Sequence, residues 1–125
     1  MSYTESSGMQ NLMRIESLVA SKLQNILSKD SDNVNHIYLY NAGELWVAFE
    51  NSAFQLEQLL GDTDATIVMR LKNRPFPLVL NTISDIKVRG LYKKGNPLQG
   101  FIKLPASPMD KETFQNWYRE LVVEV

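Results

Sequence analysis

A chain of 125 residues, 44% hydrophobic and 22% charged, has the size and composition of a single globular domain able to bury its own core. A formal charge of −1 counts against a dedicated polyanion binder. The absence of cysteine excludes disulfides, a thiolate nucleophile and any cysteine-ligated zinc or iron–sulfur site. The N-terminus "MSYTESSGMQNLMRIES" lacks the basic and apolar regions of a signal peptide. The longest apolar run, Leu45 to Phe49, falls far short of the ~20 residues a membrane helix needs. The chain is therefore expected in the cytoplasm, a compartment that also suits a protein without cysteine.

Residues 1–8 are polar and are expected to fray, leaving 9–125 as one domain. From Met9, Leu12, Ile15, Val19, Leu23 and Ile26 fall at the spacing of one helical face, and "SKDSDNVN" then reads as a loop. In "HIYLYNAGELWVAFE" the period changes to two, predicting a hairpin that turns near Asn41, Ala42 and Gly43. "NSAFQLEQLLG" predicts a short helix, with Ser52 and Gln55 as a capping box and Gly61 after its end. "ATIVMRLK" alternates as a strand, with Ile67, Met69 and Leu71 on one face, and "NRPFP" must break the ladder. "LVLNTI" and "DIKVRGLY" are expected to be strands, as is "GFIKL". "DKETFQNWYRELVVEV" closes the chain as a helix capped by Asp110, with Phe114, Trp117, Tyr118 and Leu121 on one stripe.

The expected fold is α+β, in the order α-β-β-α-β-β-β-(β)-α: an antiparallel sheet of five to six strands with helices packed on one face. As architecture, that order is similar to the roadblock and profilin-like class and to small secretion-chaperone domains, although no residue motif links the chain to either.

Local signatures of chemistry do not accumulate. His36, the single histidine, opens a predicted strand with no orienting acid or nucleophile in its neighbourhood, so it reads as a half-exposed residue beside Tyr38 and Tyr40. Ser84 to Lys87 matches a bare Ser-x-x-Lys, but on a strand that spacing points the hydroxyl and the amine to opposite faces. "GNPLQG" has the glycine spacing of a phosphate loop without the lysine and hydroxyl that must follow. Asp30, Asp32, Asp62 and Asp64 lack the glycine and distal glutamate of a calcium loop and read as solvated loop residues. No catalytic residue, metal or cofactor is therefore expected, and the chain is read as a non-enzyme. An enzymatic site would have to be assembled from distant glutamate, tyrosine and arginine residues.

The charge layout is more informative. Residues 1–69 carry a net −6, whereas residues 70–103 carry eight bases against Asp85, a net +7. If these segments are strands of one sheet, period two places Arg70 with Lys72, and Lys87 with Arg89, on its solvent face. Arg74, Phe101 and Lys103 would join them, with Lys93 and Lys94 at the rim. Such a face keeps a sheet soluble and guards its edges. It would also suit a protein partner or a second copy of the chain, whose acidic half is complementary. The alternative is a single-stranded nucleic acid, with Phe101, Tyr92 or Tyr38 as stacking platforms. The expectation is a small interaction domain, self-associating or binding a protein through this basic face. Phe76, held between two prolines, is either a strand-entry turn or a partner contact.

Overall fold

A computed structural model describes residues 3–31, 35–72, 74–91 and 101–123. The first helix, α1 (Tyr3–Ser31), begins ahead of its apolar stripe and continues past the expected loop start. The hairpin follows as β1 (His36–Ala42) and β2 (Leu45–Phe49), in antiparallel register with Ala42 opposite Leu45. Its two-residue turn is Gly43-Glu44, and Gly43 takes the positive φ of 86° that such a turn requires. Then come α2 (Asn51–Leu60), β3 (Ala65–Met69), β4 (Leu78–Ser84), α3 (Asp85–Leu91), β5 (Phe101–Pro105) and α4 (Lys111–Val123).

The fold is α+β, with four helices against one antiparallel sheet of order β3-β4-β2-β1-β5 among the described residues. Two details differ from expectation. First, helices cover both faces rather than one. Ile15, Val19 and Ile26 of α1 pack with Tyr40, Val47, Phe49, Leu78 and Leu80. The opposite face joins Ile37, Leu39, Trp46 and Ile83 to Ala53 and Leu56 of α2, Val88 of α3 and the half-buried Trp117 of α4. The physical reason is that both alternating sets of β1 and β2 are apolar, and β4 is buried along almost its whole length. Strands of that kind need cover on each side.

Second, "DIKVRGLY" is not a strand, since Asp85–Leu91 is helical. Ser84 Oγ accepts the Lys87 backbone N–H at 3.3 Å and so caps the first turn. Asp85 accepts the Trp46 indole N–H at 2.8 Å and pairs with Arg89 one turn on. Val88 is buried while Ile86 is 83% exposed, so the true spacing runs from Val88 to the half-buried Leu91. Over so few residues, Ile86 and Val88 imitate alternation equally well.

The capping box of α2 is also replaced. Ser52 lies inside the helix, and α2 is capped from another element. Asp30, near the end of α1 and 3% exposed, accepts the N–H of Asn51 at 2.8 Å and of Ser52 at 3.1 Å. It also accepts the Ser52 hydroxyl at 2.7 Å, and Ser52 Oγ in turn accepts the Tyr38 N–H. Asp30 is thus a buried structural residue and not part of a solvated loop. Gly61 ends α2 in the left-handed conformation, and the Asp110 carboxylate accepts the Thr113 hydroxyl at the start of α4, both as expected.

Candidate ligand cleft

The sheet does not gather the basic block. Arg70 and Lys72 are exposed just beyond β3, at one edge, whereas Lys103 is exposed on β5 at the other. Four interstrand steps separate those edges, roughly 19 Å. Lys87 and Arg89 belong to α3, and each meets a carboxylate: Lys87 Nζ pairs with Asp64 at 2.5 Å and Arg89 Nε with Asp85 at 2.8 Å. Arg74 faces Glu50. Phe101 is half-buried against Tyr40, with the Lys29 ammonium 4.0 Å from its ring centroid. Lys93, Lys94, Tyr92 and the "GNPLQG" loop lie outside the described residues. Among the described residues one basic sheet face is therefore not formed, because both faces are covered and a strand assumed in its construction is a helix.

Other sequence candidates stay structural. The Lys87 amine pairs with Asp64, and the Ser84 hydroxyl accepts the Lys87 backbone N–H, so both members of the Ser-x-x-Lys pair are held in structural contacts. Asp64 also accepts the Ser84 N–H at 2.7 Å. No group of three or more histidine, aspartate or glutamate side chains suited to a metal ion occurs among the described residues. None of the described helices is long and apolar enough to cross a membrane.

What the fold does assemble is a cleft of about 840 Å³, between the end of α1, the β2–α2 junction, the segment before β4 and the last turns of α4. Its walls are largely apolar, supplied by Leu27, Phe76, Phe114, Val122 and Val123. Phe76 and Val123 stand 66% and 78% exposed at its rim. The Tyr118 hydroxyl donates to the Pro77 carbonyl, which ties α4 to the proline segment and fixes the two walls relative to each other. Burial raises the Tyr118 phenol above its ordinary pKa, with a further push from Glu50 and an opposing pull from Arg74.

Glu50 lies at the floor and is the most constrained residue there. Its N–H extends the β2–β4 ladder to the Val79 carbonyl at 2.9 Å, while its own carbonyl accepts the Phe54 N–H at 3.0 Å and starts α2. Serving a strand and a helix at once forces φ 48°, ψ −112°, a conformation that costs a non-glycine residue about 1–3 kcal/mol. The side chain is 15% exposed. One carboxylate oxygen accepts the Val79 N–H at 3.3 Å, and the other lies 3.7 Å from Arg74 Nη2, too far for a hydrogen bond. Burial pushes the carboxyl pKa up to about 7 and nearby Asp30 adds to the rise, against the lowering pull of the Val79 N–H and of Arg74. Arg74 Nη1 is shielded from solvent and has no hydrogen-bond partner among the described residues.

No family model, no curated protein and no solved structure matches this chain. The cleft must be interpreted from its own chemistry. It offers an apolar enclosure, one group poised to exchange a proton near neutrality, and a guanidinium whose pairing is incomplete.

Sequence reasoning missed Glu50 because it sits inside "AFENSAF", where a lone charge between an apolar strand and a helix resembles an ordinary boundary residue. Phe76 was visible as a stiff aromatic between prolines. Arg74, its near neighbour, was noticed only as one charge among eight.

Proposed function

We propose that the chain is a binding domain whose site is the Glu50–Arg74 cleft, which receives the apolar part of a ligand. The observation that carries this reading is the strained, largely buried Glu50 lining an apolar cleft. Backbone strain and perturbed carboxyls both cluster at functional sites. The volume falls within the usual range for small-ligand sites, as does the ratio of apolar wall to a few convergent polar groups. Nile red, a neutral dye that brightens in apolar surroundings, tests it. Saturable binding is expected, weakened at least tenfold by Phe76→Ser with Val123→Asp. Both residues are well exposed at the rim, so the fold should tolerate the changes. Absence of saturation, or equal affinity in the double variant, would count against the cleft.

Self-association is supported by a separate feature. Strand β3 stands at the end of the described sheet. Asp62 and Asp64 precede it, and the exposed Arg70 and Lys72 follow it. An antiparallel pairing of two β3 strands across a twofold axis would set the acidic end of one copy beside the basic end of the other. We expect a dimer by light scattering that dissociates in high salt or on Arg70→Glu with Lys72→Glu. A monomer at every concentration would remove this reading. A nucleic-acid site draws less support, since Phe101 lies between Tyr40 and Lys29 and the basic residues are dispersed.

A further inference from the structure

Resting on the cleft as the binding site, we propose that its ligand is an amphipathic monocarboxylate: an apolar chain lying along Phe76, Leu27 and Val122, with its carboxylate meeting Arg74 and Arg119.

Among the described residues, the charges lining the cleft are Asp30, Glu50, Arg74 and Arg119. They are not equally available. Asp30 is buried and directs its oxygens at the first turn of α2, where two backbone N–H groups and a hydroxyl hold them. Glu50 is the natural counter-ion of Arg74, but it sits 3.7 Å away and is held back by the Val79 N–H. Its tendency to keep a proton near pH 7 further reduces the negative charge on the floor. Both guanidiniums, by contrast, retain bonding capacity. Arg74 is loosely paired and its Nη1 has no acceptor among the described residues. Arg119 is exposed on α4. Arginine and carboxylate match as planar forks, so a ligand carboxylate can form the paired hydrogen bonds that Glu50 does not make. The Arg74 side chain is 27% exposed, which leaves it room to turn toward an incoming anion. Apart from Asn51 and Gln115, the rest of the described lining is hydrocarbon and aromatic, which suits an alkyl chain better than a sugar or a nucleotide.

The test compares three probes with the same ten-carbon chain: decanoate, decanol and decyltrimethylammonium. Each is titrated below its micelle concentration or, for decanol, its solubility limit, while backbone amide shifts are followed at pH 6 and pH 8. Decanoate is expected to bind at least tenfold more tightly than decanol, with shifts centred on Phe76, Tyr118 and Val122. Its affinity should fall severalfold from pH 6 to pH 8, as Glu50 ionises and competes for Arg74. Arg119→Gln, an exposed change that the fold should tolerate, and Arg74→Gln, checked for folding by circular dichroism, should each bring decanoate toward the affinity of decanol. Equal binding of decanoate and decanol overturns the carboxylate and leaves the apolar cleft standing. Tighter binding of the cation overturns it as well, because Asp30 and Glu50 would then dominate. If none of the three probes shifts these amides, the ligand proposal and the cleft reading fall together.

Discussion

Glu50→Gln is expected to stabilise the protein by about 3 kcal/mol at pH 8 and to change it little near pH 4. In the folded chain burial holds the carboxyl pKa at about 7, against 4.5 for an ordinary glutamate. Each unit of that difference corresponds to about 1.4 kcal/mol. The sign follows from proton counting. Below pH 4.5 the group is protonated in both the folded and the unfolded chain. Between 4.5 and 7 the unfolded chain releases its proton while the folded one keeps it, so stability falls as pH rises. Above 7 both are ionised, and the folded state carries the full penalty of a buried charge that Arg74 only partly offsets. Glutamine resembles the protonated acid at every pH, so this decline should vanish. Urea denaturation at pH 4, 6 and 8 measures it. An equal decline in the variant, or a loss of stability at pH 8, would show that Glu50 is not the penalised group.

Asp30→Ala should destabilise by about 3–4 kcal/mol. The substitution strips acceptors from the N–H groups of Asn51 and Ser52 and from the Ser52 hydroxyl, in a largely buried region. A buried donor left without a partner costs about 1–3 kcal/mol, and more when the lost acceptor was charged. The favourable placement of a carboxylate at the N-terminus of α2 disappears as well. Asp30→Asn keeps one acceptor oxygen and should lose about half as much. Thermal and urea unfolding distinguish these outcomes, and a loss under 1 kcal/mol for alanine would mean that water replaces the carboxylate freely. The variant should also disturb the cleft, because Asp30 and Asn51 belong to its lining.

The elements that could be recognised in the sequence were those with long, uniform patterns. Ile15, Val19 and Ile26 of the first stripe, Ile37 and Leu39 of the hairpin and the inward pair Ile102 and Leu104 are buried as the patterns imply, whereas Leu12, at the start of that stripe, is 46% exposed. Asp85–Leu91 was misleading because four residues of alternation fit either period, and only Ser84 and Asp85, acting through a cap and through Trp46, decide in favour of a helix. The two-sided cover of the sheet was present in "LWVAF", Leu45 to Phe49, whose continuous apolar character already asks for burial on both faces. The cleft was not readable. Its floor joins residues from the end of α1, the β2–α2 junction and the segment before β4, and proximity of that kind arises from topology, not from spacing. Likewise the +7 block looked like one surface only while Glu50 and Asp64, which face Arg74 and Lys87 from elsewhere in the chain, were out of view.

The pairing of β1 with β5 bears on how the chain emerges during synthesis. His36 lies opposite Pro105, and Tyr40 opposite Phe101, so the outer rim of β1 has no permanent neighbour until the last fifth of the polypeptide has been made. The hairpin with β2 can form far earlier, as can its junction with α2, since both are local. A nascent chain halted before Phe101 would therefore present a hydrogen-bonding rim flanked by Ile37 and Leu39, the kind of surface that holding chaperones cover and that neighbouring chains can seize.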